Sequence, residues 1–253
     1  RFWWTYPIMT SPHDPDVLYL TSQYVHKSTD EGQSWEVISP DLTRADPKTL
    51  DQTPSYEHPE PGEYWGPITR EAYGPEWYAT IFALAESPAQ AGVLWAGSDD
   101  GYVNVSKDGG KRWTKVNIPD DDFTRAIRED PEREGLLYAA TERTVYVSFN
   151  DRAVWQPLSN KLPVVPVHDL AVTNGDLAAA THGRSFWILD NVELLHQVDA
   201  QALGDAVHLF QPRPTIRFRN GANLAARSTA PSTENPPSGV VIPYYFRLRP
   251  PTM

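Results

Sequence analysis

Apolar-rich runs and polar turns follow one another along this chain, each run closed by a Gly, Pro or Asx turn. Short apolar runs bounded by turn signals predict many short β-strands. The pattern is clearest over residues 80–85, 93–97, 102–106 and 112–117, where four such runs succeed one another. Four short antiparallel strands in about 40 residues is the size of one propeller blade. Few stretches longer than ten residues lack a turn signal, which favours strands over helices.

An internal repeat sets the phase of the blades. Ser28, Asp30, Gly32 and Trp35 follow the order S-x-D-x-G-x-x-W, and Ser106, Asp108, Gly110 and Trp113 repeat it. A worn third copy keeps Ser148 and Trp155 but has Asn150 for the Asp and Arg152 for the Gly. Before each copy stand a Pro turn and an apolar triplet: Val17-Leu18-Tyr19, Val93-Leu94-Trp95 and Leu136-Leu137-Tyr138. The spacing of this Asp box has a local cause. The carboxylate accepts backbone N–H groups of its own turn, Gly supplies the positive φ that closes it, and Trp returns to pack between blades. The box residues are therefore expected to be structural, with no ligand or metal at their acids.

From Trp113 to Trp155 is 42 residues, one repeat, whereas Trp35 to Trp113 is 78, one repeat plus an insert over residues 41–77. A fourth unit without a box covers 167–172, 177–181 and 185–189, with 192–195 as a candidate last strand. The predicted fold class is all-β: a β-propeller of four-stranded antiparallel blades, about four of them in a partial or open ring, plus an irregular C-terminal tail. The blades occupy residues 1–210. Residues 211–253 read as a Pro/Arg-rich linker and a strand at 240–246, which either starts a β-sandwich or packs back onto the propeller.

Charge narrows the partners. The net charge is −11. Residues from 211 onward hold six arginines and one acid, so residues 1–210 hold 16 basic against 32 acidic side chains. Such a body repels phosphates, which argues against nucleic acid. The absence of cysteine excludes disulfides and thiolate metal sites. No apolar run approaches the roughly 20 residues of a membrane span. The chain opens on Arg1, already strand-like, and reads as a fragment or processed piece without a signal peptide.

Topology picks out one face. In a four-stranded blade the link to the next blade and the turn between strands two and three leave the same side, and the Asp box leaves the other. The insert, with Tyr64, Trp65, Tyr73 and Trp77 among its glutamates, should therefore share a face with three turns. These carry Asp99 and Asp100, Glu142 and Arg143, and His182 and Arg184. Exposed aromatics beside carboxylates suit sugar rings or peptides. The same aromatics could instead form a small core that clamps the insert to the ring, and both readings stay open.

From Arg1 to about Phe246 the chain resembles the C-terminal part of bacterial BNR/Asp-box repeat proteins. The phrases that carry the resemblance include HKSTDEGQSWEVISPDLT, VLWAGSDDGYVNVSKDGGKRW, THGRSFWILD and ENPPSGVVIPYYF. That group is related to the sortilin (Vps10) propeller and is often labelled glycosyl-hydrolase-like. The resemblance implies an exported propeller, secreted or periplasmic. This chain departs from the pattern in having only TKVNIPDDD between Trp113 and Phe123, where a further repeat is expected.

Catalytic candidates are sparse. Glycoside hydrolysis needs two carboxylates about 5–10 Å apart. Asp99 or Asp100 could serve with Glu142 or an insert glutamate, but Asp-Asp-Gly is also an ordinary hairpin turn. A sialidase needs an arginine cluster, for which Arg143 and Arg184 supply two members. His168-Asp169 and His182 read as structural, with no second histidine at ligand spacing. No Gly-x-Ser-x-Gly elbow or phosphate-cradling loop occurs, and no metal or cofactor is expected. The functional expectation is an extracytoplasmic module that binds a protein or glycan through this loop face. A glycoside hydrolase using loop-face carboxylates is the alternative.

Overall fold

The computed structural model describes residues 1–50, 78–119, 122–149, 154–158, 160–215 and 239–247. Tyr64, Trp65, Tyr73 and Trp77 lie outside the described residues. The chain forms two compact units, Arg1–Leu189 and Asp190–Met253.

The first unit consists of consecutive antiparallel sheets, as the short apolar runs between turns predict. The first blade is β1 (Ile8–Thr10), β2 (Leu18–Thr21), β3 (Val25–Ser28) and β4 (Glu36–Val37). A short helix, α1 (Pro47–Leu50), follows. The second blade is β5 (Ile81–Glu86), β6 (Leu94–Ser98), β7 (Val103–Ser106) and β8 (Thr114–Val116). The third is β9 (Thr124–Glu129), β10 (Leu137–Thr141), β11 (Val145–Ser148) and β12 (Trp155–Pro157). The fourth has three strands, β13 (Val167–Thr173), β14 (Asp176–Thr181) and β15 (Phe186–Leu189). Every pairing within these sheets is between neighbours in sequence, the order of a propeller blade.

The sheets pack face to face through their apolar sides. Trp95, Val103, Ile127 and Leu137 are fully buried between blades two and three, and Val25, Ile81 and Leu94 between blades one and two. These strands are buried on both faces, so they read as near-continuous apolar runs rather than strict alternation.

The box turns have the geometry their spacing requires. Asp30 Oδ1 accepts Ser34 N at 2.9 Å and Ser28 Oγ at 2.8 Å, and Ser28 Oγ in turn accepts Gly32 N at 2.9 Å. Asp108 accepts Arg112 N and Arg112 Nε, both at 2.8 Å, and Gly110 N donates to Ser106 Oγ at 2.9 Å. These donors hold both carboxyls at about pKa 2, led by the Ser34 hydroxyl for Asp30 and the Arg112 guanidinium for Asp108. Trp113 Nε1 donates to Gly110 O at 2.9 Å and to Ile38 O of the preceding blade at 3.1 Å. Trp35 makes the first of these bonds, to Gly32 O, and remains partly exposed.

In the second unit, residues 192–195 do not form the expected strand. They fall within and just before a one-turn helix, α2 (Glu193–His196), followed by α3 (Ala200–Gly204). A short apolar run does not distinguish helix from strand, and Asp199 caps the next turn by accepting Ala202 N at 2.7 Å. Within this unit β16 (Val207–Leu209) pairs antiparallel with β17 (Tyr244–Phe246).

Candidate functional site

The site is built by a feature that recurs from blade to blade. In β5, β9 and β13 the register with the next strand slips by one residue near the start. The unopposed residues are Phe82, Arg125 and His168. They stand 43 residues apart in sequence, the same position of three successive repeats. A β-bulge re-aims the side chain of its extra residue and is common beside binding sites. The turn after each second strand supplies an equivalent set. Ser98, Thr141 and Thr181 pair with the inner strand on the other side of the bulge, and Asp99, Glu142 and His182 come next.

Each bulge residue is set against a turn of its own or a neighbouring blade. Arg125 Nε donates to Glu142 Oε1 at 2.7 Å, and its Nη2 closes the ion pair on the same oxygen. The rings of His168 and His182 lie with centroids 5.0 Å apart and tilted by 30°. Phe82 and Asp99 line one cavity of about 290 Å³, with Trp3, Tyr78, Phe123 and Arg125 as the other walls. Its aromatic rings are packed edge to face: Phe82 and Phe123 centroids are 4.8 Å apart at 89°, and Trp3 lies 5.7 Å from Phe82. The guanidinium of Arg125 sits 3.9 Å from the Phe123 ring centroid.

Asp99 and Asp100, adjacent in sequence, are both buried but do different things. Asp100 Oδ2 accepts Arg44 N at 2.8 Å and Ala45 N at 3.2 Å, and its Oδ1 accepts Ser98 Oγ at 2.5 Å. It fastens the start of the insert to blade two. Asp99 Oδ1 accepts Thr80 N at 2.9 Å and its Oδ2 accepts Thr80 Oγ1 at 3.3 Å, while Asp99 N donates to Thr80 O. Burial pushes the Asp99 carboxyl up to about 7, the charge of Asp100 adds to the shift, and the Thr80 donors oppose it. Tyr78 is also raised, by burial first and then by Asp99 and Asp100.

The remaining sequence candidates flank this cavity's neighbourhood without lining it. Arg143 Nε lies 4.0 Å from Asp122 Oδ2, and Arg143 O accepts Val165 N. His182 N donates to Pro166 O at 2.9 Å, which ties its turn to the link entering β13, and Arg184 O accepts Trp187 Nε1. Both ends of the insert, at residues 41–45 and 78–80, are thus bonded to or beside the Asp99–Asp100 turn. The box turns lie with the other set of loops, since Gly109 N donates to Gly92 O at 2.9 Å.

Sequence reasoning missed Trp3, Tyr78, Phe82, Phe123, Arg125 and the meeting of His168 with His182. The 43-residue spacing of the three bulge residues was the available signal. Among the described residues no group of three or more His, Cys, Asp or Glu is placed to hold a metal ion. No helix among them is long and apolar enough to cross a membrane.

No family model matches the chain, and no curated protein matches it in sequence. Solved structures share its fold. A GH74 enzyme from Niastella koreensis is 15% identical over 74% of this chain and 28% of its own, with a TM-score of 0.50. The GH74 xyloglucanase from Xanthomonas campestris is 19% identical over 73% of this chain and 29% of its own, with a TM-score of 0.49. YCF48 bound to D1 peptide is 13% identical over 74% of this chain and 53% of its own, with a TM-score of 0.43. The chain therefore spans under a third of the two GH74 enzymes' length. At 15% identity the likeness to the Niastella koreensis enzyme shows the fold, that of a β-propeller, and no activity.

Proposed function

We propose that this chain is a propeller module that binds a protein or glycan ligand through the face carrying the Asp99 turn, with export to the periplasm or the cell exterior. The observation that carries the reading is the cavity in which a buried carboxylate, Asp99, is walled by Trp3, Tyr78, Phe82 and Phe123. A concave apolar site with a few convergent polar groups is the usual form of a ligand pocket. The box acids, by contrast, are fully engaged by their own turns. The resemblance of the boxed repeats to BNR proteins of the sortilin type supports export. A panel of glycans and peptides, read for binding and for released reducing sugar, tests the proposal. Binding that weakens in Phe82→Ala and survives in Asp30→Ala is the expected result. Binding lost equally in both, with both folded, would remove the loop face from the account.

One observation favours the hydrolase alternative. An Asp99 carboxyl with a pKa of about 7 is about half protonated at neutral pH, so part of the population can act as a general acid, and Glu142 bonds to Arg125, another wall of the same cavity. Turnover that disappears in Asp99→Ala would establish this alternative, and binding without turnover would set it aside.

A further inference from the structure

The cavity beside Asp99 is more specific than a general loop-face pocket. Three properties of its walls converge on one ligand chemistry. The first is its anion. Among the described residues Asp99 is held only by neutral donors, the N–H and hydroxyl of Thr80, and has no cationic partner. The cation in the wall, Arg125, has its charge met by Glu142. A desolvated carboxylate without a counter-charge attracts a cation far more strongly than an exposed one.

The second property is the aromatic lining. The Arg125 guanidinium already rests 3.9 Å from the Phe123 centroid and 5.7 Å from that of Phe82. These contacts show that the Phe123 ring already accepts a cation from Arg125, and Phe82, Trp3 and Tyr78 supply the rest of the aromatic lining. Rings around a cation are the arrangement by which proteins recognise alkylammonium groups. The third is size. About 290 Å³ accommodates a four-carbon chain and its ammonium head, at the small end of ligand cavities. The surrounding acidic body, with 32 acids against 16 bases over residues 1–210, raises the local concentration of cations.

We infer that the cavity formed by Trp3, Tyr78, Phe82, Phe123, Asp99 and the Glu142-paired Arg125 receives an alkylammonium group, with its head on Asp99 and its carbon chain against the rings. The group comes either from a lysine side chain on a protein ligand or from a free amine. This inference rests on the loop-face binding proposed above and narrows it to one chemistry.

The groups facing Asp99 are Thr80, Tyr78, Asp100 and Arg125, with Arg44 acting on Tyr78 from beside Asp100 and Glu142 beyond Arg125. Asp99 titrates near neutrality, whereas an amine head keeps its charge to about pH 10. Affinity should therefore rise with pH and level off above 7.

The test uses the full chain at low salt and n-butylammonium as probe, with 1-butanol as its uncharged counterpart. Calorimetric or NMR titration should show saturable binding of n-butylammonium at pH 8, at least tenfold tighter than 1-butanol. That affinity should fall about tenfold between pH 8 and pH 6, the ratio expected for a carboxyl titrating near 7. Asp99→Asn should abolish the pH dependence and weaken binding at least tenfold. Phe82→Leu, which keeps the carboxylate, should weaken binding several-fold and keep the pH dependence. Two outcomes overturn the inference: equal affinity for n-butylammonium and 1-butanol, or n-butylammonium binding that a folded Asp99→Asn variant retains. Tighter binding of Nα-acetyl-lysine methylamide than of n-butylammonium assigns a protein lysine, and the reverse order assigns a free amine. A chain that binds glycans or peptides through this face but ignores amines fails this inference alone. A chain whose loop face binds none of them fails both.

Discussion

Phe82 and Arg125 occupy the same bulge in consecutive blades, and the guanidinium carbon of Arg125 lies 5.7 Å from the Phe82 ring centroid. One repeated backbone irregularity thus brings side chains of different chemistry into contact, and His168 is the third of the set. Its pKa lies below the usual value because of burial first, then the charge of Arg125 and then His182, while Glu142 acts in the opposite sense.

Replacing Arg125 tests this contiguity. Arg125→Gln removes a positive charge and leaves Glu142 unpaired, and both changes favour the protonated imidazole. The pKa of His168 should move up toward its ordinary value, followed by NMR titration of its ring protons. His182→Gln should shift it the same way and by less, following the order of the causes. An unmoved His168 in Arg125→Gln would mean that the bulge residues are electrically independent.

Asp99 should make stability depend on pH in a direction unusual for an aspartate. Its folded pKa, about 7, lies above the ordinary aspartate value of 3.8, so the native chain binds the extra proton between those limits. Stability contributed by the neutral carboxyl is fully present below about pH 4, is lost as pH rises to about 7, and changes no further above that. The shift corresponds to at most roughly 4 kcal/mol. Asp99→Asn keeps an acceptor for Thr80 N without the charge. Urea unfolding at pH 5 and pH 8 should show the native chain losing more stability than this variant over that interval. A parallel loss in both proteins would place the carboxyl in a wetter setting.

Gly109 and Gly110 separate two costs of a side chain in a box turn. Both have positive φ, +72° and +93°. A Cβ on Gly109 meets nothing within 4 Å, whereas one on Gly110 would lie 2.8 Å from both Ile38 Cδ1 and Ile38 O. Gly109→Ala should cost about 1 kcal/mol, the backbone penalty alone. Gly110→Ala should cost about 2 kcal/mol more, because the blade-one backbone has to move. Urea midpoints measure the difference, and equal midpoints would show that blades one and two are not in tight contact there.

The contrast between what the sequence revealed and what it hid has a physical basis. The Ser106–Trp113 box was legible because its bonds are local: donor and acceptor are four residues apart. The strands of blade two fell within two residues of their expected bounds because burial imposes the apolar pattern. The bulges at Phe82, Arg125 and His168 were not legible. A bulge shifts register by one residue without a residue type of its own, and that shift decides which way a side chain faces. Asp99 stood out in sequence as half of a turn dipeptide. Its separation from Asp100 comes from Thr80 and from Arg44 and Ala45, two segments that only the fold brings beside it.

That separation makes the last prediction. Asp100 carries the backbone N–H groups of Arg44 and Ala45, and its own carboxylate is buried. Asp100→Ala removes a charged acceptor from two backbone donors and from Ser98 Oγ, which should cost about 3 kcal/mol. The loss should be local first, since the bonds anchor residues 44 and 45 rather than the strands of blade two. Limited proteolysis under native conditions should therefore cut Asp100→Ala within residues 41–50 well before global unfolding. Asp99→Asn, whose bonds run to Thr80 instead, should be cut there at the rate of the unaltered chain. Equal cleavage of the two variants would show that the start of the insert does not depend on Asp100.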